Sequence, residues 1–318
     1  MKNSGFDRIK AEQKPKKLLA LVVNWLQAIF DLIWRWLSNL ARPIGLLGPA
    51  GIWLLLLMVL PMLLITELSL VPGLKPGQPI AGYGLLNYLR ILEPTYLQVL
   101  QRSATFATGT TLLCLLLGFP VAYWLALMAP KRWRNLLLVL FILPLWTSSL
   151  LRTYAWITLL RSSGVINLVL GALGLPTQSL MNTPWAVYIG MTYSFLPYMV
   201  LILYASLERL DLKLLEAAAD LGANPQIAFW RVTVPQTLPG IAAGCLLVFV
   251  TSLGDFVVPT LLGGPSSMTI SRLIYNQFLG VARNWGFGSA LSMVLILMVS
   301  LAIALLLKYG DRNPEIYS

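Results

Sequence analysis

The chain has 318 residues, 58% of them hydrophobic and only 11% charged, against about 25% charged in soluble domains. With a mean hydropathy of +0.76 it is excluded from the ordinary soluble classes and read as an integral membrane protein. The formal charge of +11 falls in short basic clusters between apolar stretches, a pattern of membrane topology rather than of nucleic-acid binding.

The first apolar stretch, 18–40, is amphipathic. Asn24, Gln27, Asp31, Arg35 and Ser38 recur on one helical face, with Trp25, Ile29, Trp36 and Leu37 mostly away from it. The spacing predicts a helix lying in the membrane interface, within an N-terminal extension over 1–49. A seventh span is the rival, and it would reverse the side of the N-terminus. Lys10, Lys14, Lys16 and Lys17 look like the start of a signal peptide, but no small-x-small cleavage site follows the apolar run.

Six further stretches reach the ~20 apolar residues of a spanning helix: 50–68, 104–127, 135–158, 185–207, 238–258 and 287–307. They define a membrane domain over 50–307 with a short tail at 308–318. Pro144 and Pro197 lie inside the third and fourth spans, where the carbonyls they free either line a cavity or shape the bundle. The intervening segments 69–103, 161–184 and 259–286 read as short lids over one mouth. With six spans and a cytoplasmic N-terminus, 16 of the 23 Lys and Arg face the cytoplasm. That bias places both termini and the polar loop at about 208–236 on the cytoplasmic side.

This loop is the most informative segment. Asp211 is a suitable N-cap for the strong helix formers at 212–221, and Gly222 ends the run. Asn224-Pro225 starts a second helix, and Pro235 and Pro239 mark re-entry into the membrane. Two short helices at an angle are predicted, projecting from the membrane. Ala217, Ala218 and Ala219 allow close approach of a partner, and Glu216 can pair with a basic residue or cap a neighbouring helix.

Glu216, Ala217, Ala218, Gly222 and Pro235 match in type and spacing the signature of ABC-importer permeases, EAA, three residues, Gly, nine residues, Ile-x-Leu-Pro. Val232 and Val234 replace the Ile and Leu. The resemblance implies an all-α polytopic fold, the six-span MetI-like core of a type I importer. The loop then corresponds to the coupling helix, seated in a cleft of an ATP-binding subunit present in two copies. A second, similar but not identical permease and an external substrate-binding protein complete the machine, in the inner membrane of a bacterium and in contact with its lipid. No G-x-x-x-x-G-K-[ST] occurs, so ATP and magnesium are expected on the partner ATPase, with no cofactor and no enzymatic activity on this chain. No nucleic-acid partner is expected.

The run from Leu143 through Arg152 to Trp156 looks like the third-span signature of spermidine/putrescine permeases of the PotB/PotH kind. The stretches 206–211, 238–245 and 252–256 and the pair Gly263-Gly264 resemble the same group. A polyamine is the cargo this implies. The same machine carrying an opine, an amino-acid derivative or ferric iron is the alternative, and an ion-coupled secondary transporter is a more distant one. A membrane enzyme lacks any constellation to support it: there is no histidine, and Cys114 and Cys245 each lie inside an apolar run.

A flexible polycation needs acidic groups and aromatic faces along its path. The candidates are Asp255, at the outer end of the fifth span, Glu67, and the aromatics Trp146, Tyr154, Trp156 and Tyr193. Asp255 has two other possible roles, pairing with Arg152 or capping a helix. Glu67 is alternatively an interfacial residue, and the aromatics are alternatively belt or packing residues. Arg152 is an awkward neighbour for a cation path.

Overall fold

The computed structural model describes Gly48 and residues 51–80 and 82–310. The expected interfacial helix at 18–40, and the tail beyond 310, lie outside the described residues. Among the described residues there is no strand. The helices are α1 (Gly51–Ser69), α2 (Leu86–Ile91), α3 (Pro94–Tyr123), α4 (Lys131–Ile142), α5 (Ser149–Leu160), α6 (Val165–Ala172) and α7 (Pro184–Glu208), followed by α8 (Leu212–Asp220), α9 (Pro225–Ala228), α10 (Val234–Gly254), α11 (Val257–Leu261), α12 (Ile270–Phe278) and α13 (Trp285–Gly310).

Six helical stretches among the described residues are long and apolar enough to cross a membrane: Gly51–Ser69, Pro94–Met128, Ser149–Ala172, Pro184–Glu208, Pro225–Gly254 and Trp285–Leu305. Five overlie the expected spans. The third does not. Instead of one helix over 135–158, α4 tightens into a 3-10 turn at Leu143–Trp146, Thr147 and Ser148 are extended, and α5 begins afresh at Ser149. Pro144 brings no N–H to the helical ladder and crowds the turn before it. Its carbonyl is taken by the Thr147 backbone at 3.2 Å and by the Thr147 hydroxyl at 2.8 Å.

The chain divides into two units, 1–64 and 65–318. In the first, the described residues form most of α1, with no charged side chain between 51 and 64. In the second, α7 is the central helix, and α3 and α10 pack on it and on each other. Their shared core contains Cys114, Leu125, Met199, Leu203, Leu207 and Val248, all buried. A second cluster joins Phe106, Leu160, Met191, Val258 and Leu262, which ties α5 and α11 to α3 and α7.

Helices surrounded by lipid gain little from hiding apolar surface, so they associate through close packing at small residues. Gly240 of α10 lies so near Ser206 of α7 that a Cβ would fall on the serine side chain. One turn along, a Cβ on Gly244 would lie 2.9 Å from the Met199 sulfur. Glycine is thus required on this face of α10 for the contact with α7.

Candidate functional site

The α7–α10 connection is built from local capping. The Asp211 carboxylate accepts from the Lys213 N–H at 3.0 Å and starts α8. At the other end Gly222 adopts φ +83°. The Gly222 N–H donates to the Ala219 carbonyl and the Ala223 N–H to the Ala218 carbonyl, both at 2.9 Å, the double closure of a Schellman cap. The Asn224 side chain then accepts from the Ile227 N–H at 2.8 Å and opens α9.

The second expected short helix is not a separate element. From α9 the chain passes through a π turn at Phe229–Thr233 straight into α10, so one helical stretch runs Pro225–Gly254. The wider turn lets the helix continue past Pro235, which lacks an N–H. Glu216, Ala217, Gly222 and Pro235 are exposed and Ala218 is half-buried. Around them Leu214, Leu221, Ile227 and Trp230 are exposed as well, Leu221 at 89% and Trp230 at 68%. Leu214 belongs to α8, a helix too short to span a bilayer, Leu221 to its C-cap, and Ile227 and Trp230 to the adjoining end of the fifth spanning stretch; together these large apolar side chains have the composition of a docking surface.

At the root of this loop is a cluster that sequence reasoning did not select. Glu208, the last residue of α7, accepts from the Tyr204 hydroxyl at 2.7 Å and lies 3.8 Å from the Arg134 guanidinium. Arg134, on α4, also donates to the Ala126 carbonyl at 2.8 Å, in the π turn that ends α3. Three helix ends are thus joined four residues before α8 begins. Arg134 and Glu208 are far apart in the chain, and only tertiary packing brings them together.

The second feature is a cavity of about 270 Å³ between α5, α7, α10 and the residues after α10. At about 30 Å³ per water it has room for on the order of nine waters. Asp255, the first residue past α10, lines it, and its carboxylate accepts from the Val257 N–H at 2.9 Å. Arg152 of α5 lines it too, with Nε and Nη1 buried and without a hydrogen-bond partner. The two side chains interact electrostatically but do not close to an ion pair. The remaining lining is neutral: Ser149, Ser194 and Thr251 supply hydroxyls, and Phe195, Tyr198 and Phe256 supply aromatic faces. Phe256 is itself stacked on Tyr275, with centroids 4.9 Å apart.

Of the six pathway candidates, only Asp255 lines this cavity. Trp156 and Tyr193 meet edge to face at 5.4 Å, with Trp156 against the second core cluster. Trp146 and Tyr154 are exposed, at 83% and 55%. Glu67 accepts from the Tyr83 hydroxyl at 3.0 Å, and that hydrogen bond, with the carboxylate charge, pushes the Tyr83 phenol above its ordinary pKa. The aromatic faces nearest the acid therefore come from other residues. Helical spacing carries the only sequence signal for them: Tyr198 follows Ser194 by one turn, and Phe256 adjoins Asp255. Among the described residues no group of three or more His, Cys, Asp or Glu could hold a metal ion.

Six spanning stretches, a doubly capped helix between the fourth and fifth, and a cavity lined by one carboxylate, one guanidinium, hydroxyls and aromatic faces have the make-up of a polytopic membrane permease. The chain belongs to the binding-protein-dependent transport system inner membrane component family, whose profile matches residues 118–309. It is 43% identical over 254 residues to the spermidine/putrescine transport system permease protein PotB of Escherichia coli K12, covering 79% of this chain and 91% of that one. To PotB of Haemophilus influenzae it is 41% identical over 256 residues, covering 79% and 88%. A chain of a bacterial alginate ABC transporter, solved in complex with an alginate-bound periplasmic protein, has the same fold: TM-score 0.70 at 19% identity, covering 86% of this chain and 96% of that one. The protein is the permease subunit of an ABC importer.

Proposed function

We propose that this permease imports a polyamine, spermidine or putrescine. The observation that carries the reading is the 41–43% identity, over 79% of the chain, to permeases named for those cargoes. The chemistry of the cavity supports it. A carboxylate at the end of a spanning helix is expensive unless it faces water or a cation, and Asp255 lies among hydroxyls and aromatic faces that suit an alkylammonium chain.

In the machine we propose, this chain pairs with a second, non-identical permease above two copies of an ATP-binding subunit, and a binding protein delivers cargo from outside. The loop and both termini are cytoplasmic. The α8 helix seats in a cleft of the ATPase: Ala217 and Ala218 permit close approach, Glu216 supplies a charged contact, and Gly222 sets where the helix stops. ATP and magnesium are held by that subunit. ATP binding closes the ATPase pair, draws the two coupling helices together and opens the pathway outward. Hydrolysis resets it.

The test is uptake of labelled spermidine in cells with and without the gene, with putrescine, an opine and ferric citrate as competitors. Loss of uptake on deletion, blocked only by polyamines, is the expected result. Unchanged uptake in a strain lacking other polyamine importers refutes the cargo. A second reading follows from Arg152 in the same cavity: a cargo with both an ammonium and a carboxylate, such as an opine, would find a partner for each. Competition by the opine and not by putrescine would favour it.

A further inference from the structure

We propose that Arg152 is a tethered stand-in for the cargo's ammonium group, balancing Asp255 when the cavity is empty and excluding cations too weakly charged to displace it. The inference rests on the polyamine reading.

Arg152 carries a guanidinium with five N–H donors. Nε and Nη1 are buried with no acceptor, an expensive arrangement inside a spanning helix unless a negative charge compensates it. Asp255 is the one acid among the residues lining the cavity, and Arg152 is the one base. The carboxylate is held in place by the backbone N–H of Val257 at 2.9 Å. The guanidinium, by contrast, is on a long side chain and has no hydrogen bond. The fixed member of the pair is the acid, and the free member is the base.

The two charges that line the cavity are opposite in sign and therefore close to balanced. A monovalent cation that enters must share Asp255 with a guanidinium already attracted to it, and it meets like-charge repulsion at short range. A polyamine adds further charges and an alkyl chain that lies against Tyr198 and Phe256. It can take the carboxylate and turn Arg152 aside. Arg152 then selects by valence: it does not bind the cargo, but it sets how many charges a cargo must bring.

The experiment is competition against labelled spermidine uptake by a series of monoamine, diamine and triamine of matched carbon length, in the intact importer and normalised to inserted permease. In the wild type, competition strengthens steeply from monoamine to diamine. R152Q and R152M, two neutral side chains of similar length, are expected to raise monoamine competition about tenfold, the scale of removing one like charge across a cavity, and to leave triamine competition little changed. R152K keeps the wild-type profile. Absence of spermidine uptake in the wild type overturns the polyamine reading. With wild-type uptake intact, three results each overturn the stand-in role while leaving the cargo standing: a wild-type series with no step between monoamine and diamine, neutral variants with the wild-type profile, or neutral variants that lose triamine competition and so mark Arg152 as a cargo ligand.

Discussion

Gly222 offers the most quantitative test of the proposed coupling role of the loop. Its φ of +83° lies in the left-handed region, and a Cβ placed there meets nothing within 4 Å. A side chain therefore fits, and the penalty is in the backbone alone. For alanine it is about 1 kcal/mol. For a β-branched residue it rises to about 2 kcal/mol, while asparagine tolerates the conformation at a fraction of either. Since a tenfold change corresponds to about 1.4 kcal/mol, Gly222→Ala should reduce the capped form of α8 about fivefold and Gly222→Val about thirtyfold. The readout is the affinity of the detergent-solubilised permease for its ATPase, alongside uptake in cells. The expected order is Gly, Asn, Ala, Val. Equal loss for Asn and Val would show that bulk against the partner governs the site, and a Val variant with wild-type affinity would show that the left-handed cap is irrelevant to docking.

Two further outcomes follow from the packing. The Arg134–Glu208 pair is partly exposed, so its contribution to stability is at most about 1 kcal/mol; Glu208→Gln should barely move the melting temperature, while Arg134→Ala also loses the hydrogen bond to the Ala126 carbonyl and should cost about 1 kcal/mol more. Because the cluster joins the ends of α3, α4 and α7 next to α8, the same variants should lower uptake per ATP hydrolysed several-fold, with Arg134→Lys retaining most of it; a proportional fall in ATPase activity and uptake would refute a role in transmission. Gly240→Ala forces a Cβ onto Ser206 and should destabilise the solubilised protein by about 1–3 kcal/mol, seen as a lower melting temperature. Ser206→Gly in the same chain should recover most of that loss, and a double variant no better than the single would mean that the two helices do not meet there.

Much of this molecule could be read in its sequence because membrane spans and caps are local signals. Apolar length located five of the six spans, and Asp211, Gly222 and Asn224 each cap as their type predicts. The third span was misread because apolar content is blind to the backbone: Pro144 interrupts a stretch that is apolar enough on average to read as one helix. The continuity of α9 with α10 was missed for the opposite reason, since Pro235 suggested a boundary and a π turn removed it. The cavity was legible in Asp255 and Arg152, whose charges are rare enough in such surroundings to stand out. Phe195, Tyr198 and Phe256 are ordinary residues of apolar helices until the fold brings them beside a carboxylate, and Arg134 meets Glu208 only through the packing of three helix ends.

The unbroken helix from Pro225 to Gly254 has a mechanical consequence. Thirty residues at 1.5 Å each make a helical rod about 45 Å long, with the π turn at Phe229–Thr233 and Pro239 inside it. Ile227 and Trp230 lie near one end, beside α8, and Asp255 follows the other. If the rod pivots about its middle, a tilt of about 5° moves each tip by about 2 Å, enough to make or break a hydrogen bond. A push on the loop and a change in the reach of the carboxylate are then the two strokes of one lever, which needs no chain of side-chain rearrangements between them.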